Sequence, residues 1–149
     1  MSYNPQPPLG QSTMANSLPV VIASNQSAVN VNVVNSTTAS AYTVFALNSA
    51  ASQNLTNIKA SAGKVMGWYI YNSNAAARKI IFYNLATTPS AGSSRYFSIV
   101  IPALSGANVS FPDGIDFSAG IGIATSTDIA NSNPVSVATN DLIISIFYL

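Results

Sequence analysis

The chain has 149 residues, of which 6% are charged, against roughly 25% in an average soluble domain. Five Lys or Arg stand against four Asp, a net charge of +1, and there is no His and no Cys. Those absences exclude a Ser-His-Asp or Cys-His nucleophile, a Cys/His zinc site, a disulfide framework and haem or iron–sulfur ligation. Sparse charge argues against nucleic acid as a partner, because that binding rests on clustered Lys and Arg. No apolar run reaches the ~18 to 20 residues of a membrane helix, and no secretory leader is expected at the start.

The first 58 residues carry no charged side chain; Lys59 is the first. Residues 1–14, with Pro5, Pro7, Pro8 and Gly10, read as irregular or polyproline-like. Leu18, Pro19, Val20, Val21 and Ile22 form a short apolar run. Val29, Val31 and Val33 then alternate with Asn30 and Asn32, the period of a half-buried strand. Residues 35–40 are a polar linker. Two short strands cannot build a core, so residues 1–40 are expected to be an extended N-terminal arm. Its apolar faces must lie against the rest of the chain or against another chain. Such a segment gains affinity from main-chain hydrogen bonds and specificity from alternate side chains. With no ion to desolvate, it is suited to burial.

From residue 41 to 149 the pattern becomes strands at regular spacing. They are expected at residues 42–47, 55–60, 65–71, 79–85 and 95–101. A short strand at Val109 and Phe111 should be stopped by Pro112, Asp113 and Gly114. Two more are expected at residues 117–124 and 141–149. In the third, Met66, Trp68 and Ile70 should share one face, and Val65, Tyr69 and Tyr71 the other. In the fifth, Phe97, Ile99 and Ile101 share a side. The last strand is apolar on both faces, so it should be central or covered. Short strands between turn signals, with no amphipathic helix, predict an all-β domain, an antiparallel β-sandwich or jelly roll carrying the arm.

Few residues carry chemistry. Asp113 and Asp116 could hold a cation or exchange protons, but Pro-Asp-Gly is also an ordinary turn sequence in which Gly takes positive φ. Tyr69, Tyr71 and Tyr83, with Arg78 or Arg95, could form a sugar-binding platform; the competing reading is cross-strand packing and edge-guarding charge. Gly120 and Gly122 should mark a close approach by another backbone or ring. No nucleophile–base pair is found, so no enzyme and no cofactor or metal is expected.

Four stretches carry a resemblance. They are GQSTMANSLPVVIASNQSAV at residues 10–29, IKASAGKVMGWYIYN at 58–72, RKIIFYN at 78–84 and FPDGIDFSAGI at 111–121. The first resembles a segment near the start of structural proteins of tailed bacteriophages; the other three look like a phage virion domain. The resemblance implies a capsid cement (decoration) protein, made in the bacterial host cytoplasm and carried on the virion. It further implies a homotrimer bound to the major capsid protein, with no nucleic-acid or membrane partner. In that reading the arm contacts are Leu18, Pro19, Val20, Val21, Ile22, Val29, Val31 and Val33. Tyr69, Tyr71, Arg78 and Arg95 are candidate surface contacts. The alternative is a receptor- or glycan-binding module, or an adaptor, of a phage tail, baseplate or head fibre.

Overall fold

The computed structural model describes residues 41–130 and 133–149. The arm contacts expected at residues 18–22 and 29–33 lie outside the described residues. Among those described there is no helix. Eight strands follow in order: β1 (Thr43–Asn48), β2 (Thr56–Lys59), β3 (Gly63–Asn72), β4 (Arg78–Asn84), β5 (Phe97–Ile101), β6 (Ser105–Phe117), β7 (Ile121–Ser126) and β8 (Leu142–Tyr148). They form two four-stranded antiparallel sheets, β1-β8-β3-β6 and β2-β7-β4-β5. β8 lies between β1 and β3, the central place its apolar sequence predicts.

One core cluster draws on both sheets. Val65, Trp68, Ile70, Ile144 and Ile146 come from the first, and Ile80, Phe82, Ile101, Ile121 and Ile123 from the second. Alternation explains the selection, because side chains i and i+2 share a sheet face. Each fully buried aliphatic or aromatic side chain contributes about 1.5–3 kcal/mol. Trp68 anchors the aromatic part, with ring centroids 5.6 Å from Phe82, 6.2 Å from Phe97 and 5.2 Å from Phe111. Phe97 stacks on Phe82 at 4.6 Å, and Ile99 and Ile101 join the same core, as the alternation predicts.

Three local expectations are corrected. Val65 faces the core with Trp68 and Ile70, whereas Met66 does not join that cluster. The pairing of β3 with both neighbours shifts between Val65 and Gly67, so Met66 is an extra residue that resets the alternation. Second, Pro112, Asp113 and Gly114 do not end a strand; β6 runs 13 residues through them. Opposite Met66, residues 111–114 bulge out of register, since Val65 pairs with Ile115 and Gly67 with Ser110. β6 is an edge strand, where Pro can be tolerated because one side needs no ladder bond. Gly114 does take positive φ, +71°.

Third, residues 117–124 are not one strand. Phe117 ends β6 in the first sheet and Ile121 opens β7 in the second. Gly120 sits in this crossing, where a Cβ would run into the carbonyl oxygens of Leu85 and Lys59. At Gly122 the neighbour is a ring, with Pro89 Cγ 2.7 Å from where a Cβ would stand. Both glycines therefore mark the close approaches expected of them.

The charged residues are placed unevenly. Arg78, at the start of β4, is buried and bonds Asp141 beside β8, Nε to Oδ2, at 2.7 Å. Asp141 also accepts from the Ala138 amide at 3.0 Å and from Asn74 Nδ2 at 2.9 Å. Burial alone pushes this carboxyl up; the Ala138, Arg78 and Asn74 bonds and the Arg78 charge outweigh it, so it lies below its ordinary value. Arg78 is therefore not a surface contact. It is a fixed part of the seam between the sheets, held where its charge is paired and bonded.

Candidate functional site

The outer faces of the two sheets differ. On the β2-β7-β4-β5 sheet, Ile81, Tyr83 and Ala124 are fully buried and pack with Leu55 and Leu85. Lys79 is buried on the same strand, and that burial lowers its ammonium below the usual lysine range, partly offset by Asp128. Tyr83 is pushed above the ordinary phenol range by burial, partly offset by Arg95.

The outer face of the β1-β8-β3-β6 sheet is exposed. Register defines three rows across it. Val44, Phe147, Gly67 and Ser110 form the first; Ala46, Ser145, Tyr69 and Asn108 the second; Asn48, Ile143, Tyr71 and Gly106 the third. None of these positions bears a charge. Val44 is 54% exposed, Tyr69 51% and Ile143 41%. Tyr71 is exposed beside Ile143, and Tyr42 is exposed just before β1. At one end of the face Tyr42, Met66, Gly67, Val109, Ser110 and Phe147 line a hollow of about 240 Å³. Lys64 and Asp116 form an exposed ion pair at 3.3 Å beyond this uncharged area. Exposed pairs of this kind contribute about 0–1 kcal/mol.

Such a face can bind by apolar contact with little electrostatic cost. Aromatic side chains supply large contact area at small entropy cost, and no ion has to be stripped of water. Clustered exposed apolar surface marks a docking area more often than scattered residues do.

The residues expected to form a sugar platform are not brought together. Tyr69 and Tyr71 lie side by side on the exposed face, as their alternation predicts. Tyr83 and Arg78 are buried. Arg95 is exposed just before β5, on the other sheet. Asp113 and Asp116 belong to the β6 bulge, where Lys64 Nζ donates to the Asp113 carbonyl at 3.1 Å and pairs with Asp116. Among the described residues no group of three or more acids gathers as a metal site would require.

Tyr42, Val44 and Ile143 belong to the exposed face and were not singled out from the sequence. Their signal was present: the closing strand is apolar on both faces, so one of its apolar faces had to be covered by something outside the core. No protein-family model, no curated protein and no solved structure matches this chain.

Proposed function

We propose that the chain is a non-enzymatic structural component of a tailed-bacteriophage virion, a capsid cement protein. In this reading residues 41–149 form a jelly-roll-like sandwich knob that sits where major capsid protein subunits meet. Residues 1–40 are an arm that reaches neighbouring chains. The phage-like stretches at residues 10–29, 58–72, 78–84 and 111–121 support the class of particle. The observation that carries the assembly role is the uncharged outer face of β1-β8-β3-β6, with Val44, Tyr69, Tyr71 and Ile143 exposed on it.

The mechanism is additive. Each knob makes a modest apolar contact, and many copies on a closed shell sum by multivalency. The sum opposes the outward pressure of packaged DNA. A homotrimer would suit positions of local threefold symmetry on such a shell.

The alternative, a glycan- or receptor-binding module of a tail or fibre, retains only Tyr69 and Tyr71 of its expected platform. Copy number separates the two. A cement protein is present in numbers on the order of hundreds per symmetric shell, and a tail module in a few. Quantitative staining of purified virions is the test. A count of a few per particle overturns the cement reading.

A further inference from the structure

Four strands form the edges of the two sheets: β1 and β6 in one, β2 and β5 in the other. Exposed edges invite pairing with other chains, and proteins block them with charge, Pro, bulges or short length. β2 has four residues, a register break between Asn57 and Lys59, and the Lys59 charge. β5 has five residues between Arg95-Tyr96 and Pro102. β6 carries Pro112, Asp113, Asp116 and the bulge.

β1 has none of these devices. Its six residues pair with β8 in unbroken register from Thr43 opposite Tyr148 to Asn48 opposite Ile143. It contains no charge, no Pro and no Gly. Thr43, Val44, Ala46 and Asn48 are exposed, and Phe45 and Leu47, although packed on the core, are only half-buried. Among the described residues β8 is the one strand paired with it. The core is therefore open along this edge.

We infer that the free edge of β1 accepts residues 29–34 of a second copy of this chain as an added strand. This rests on the assembly reading of the arm, and it names the acceptor. Chemistry and spacing select the occupant. Val29, Val31 and Val33 share one face of an extended strand and would cover the half-buried Phe45 and Leu47. Asn30 and Asn32 would then lie on the uncharged outer face beside Ala46. The segment brings no ion to the edge and contains no Pro, so every main-chain donor is available for the new ladder.

The connection favours a second copy over the same one. Residues 35–42 separate the segment from β1 and include no Gly and no Pro. Hairpin loops ordinarily have about 2–5 residues and turn chemistry to match. An extended stretch of eight spans up to about 26 Å, enough to carry the strand to a neighbour.

The chain has no Cys, so an introduced pair has no competitor. Asn32→Cys is combined in one full-length chain with Val44→Cys, Ala46→Cys or Asn48→Cys, three registers of the same face. Mild oxidation of dilute purified protein is followed on a non-reducing gel. A disulfide needs Cα atoms within about 7 Å, so a covalent multimer ladder in at least one register is expected. Closure within single chains would overturn the second-copy assignment, and no cross-link in any register would overturn the site. In a companion measurement Val31→Pro should raise the self-dissociation constant at least about tenfold, a loss of about 1.4 kcal/mol, with unfolding followed by Trp68 fluorescence unchanged. Unchanged self-association overturns the inference. Cross-linking without capsid binding would overturn the cement reading alone; capsid binding by a chain that never cross-links would overturn this inference alone.

Discussion

Arg78 and Asp141, 63 positions apart, meet at 2.7 Å in the seam between the two sheets. Both are nearly inaccessible to water. Removing one partner leaves the other charge buried and unpaired, which costs about 3–5 kcal/mol. Arg78→Ala is therefore expected to lower the urea midpoint strongly. Arg78→Met with Asp141→Leu should recover much of the loss. A double variant no more stable than Arg78→Ala would contradict this account.

Acid should unfold the protein partly through the same carboxyl. Asp141 is held below its ordinary value, so the folded state binds its proton less readily than the unfolded chain does. Its stabilising contribution is complete above the ordinary carboxylate range and is lost as pH falls below about 4. Denaturant titrations at pH 7 and pH 3 should show this loss. In Asp141→Asn the acid-dependent part should shrink while stability at pH 7 falls.

Tyr83 gives the opposite limb. Its hydroxyl is buried with no hydrogen-bond partner among the described residues, and burial raises its ionisation above the ordinary phenol range. The neutral phenol is favoured by folding, so its contribution is present below about pH 10 and is lost as pH rises through the folded value. Tyr83→Phe removes an unpaired polar atom and should be neutral or stabilising by about 1 kcal/mol. It should also flatten the alkaline limb of a melting-temperature profile. A loss of more than about 1 kcal/mol, on the same scale, would show that the hydroxyl has a partner.

Two glycines separate crowding from composition. Gly120→Ala would press a methyl group against two carbonyl oxygens and against Ala86 Cα at 2.9 Å. Overpacking of this kind costs about 1–3 kcal/mol. Gly92→Ala meets nothing within 4 Å and should change stability by less than about 0.5 kcal/mol. Thermal melts of both variants test the contrast.

Tyr69→Glu and Ile143→Glu place charge on the exposed face without disturbing the core. Each should leave the melting temperature nearly unchanged, as surface substitutions usually do. If this face seats the knob on the particle, either charge should reduce occupancy at least about tenfold, the effect of about 1.4 kcal/mol. Full occupancy by the double variant would move the docking surface elsewhere.

Much of the fold is legible in residue alternation alone. Trp68 with Ile70, Phe97 with Ile99, and the doubly apolar β8 all follow from the two-residue period. What escapes that period is set by contacts far along the chain. Nothing near Met66 announces the extra residue, because a bulge is defined by what lies across the ladder. Pro112 reads as a stop until β6 is known to be an edge. Arg78 reads as surface until Asp141 is brought beside it. Tyr69 and Tyr71 were visible as outward residues, yet their union with Val44 and Ile143 depends on the order β1-β8-β3, which no local pattern encodes.

The pairing of Thr43 with Tyr148 also orders events during synthesis. β1 leaves the ribosome first among the described strands, but β8, its partner, emerges more than ninety positions later. β3 waits for the same strand. Until β8 is made, the first sheet lacks the strand that joins β1 to β3, so a nascent chain cannot present a finished β1 edge. Loop closure over such separations slows folding. Assembly through that edge would thus be reserved for chains translated through β8, which keeps incomplete products out of the particle.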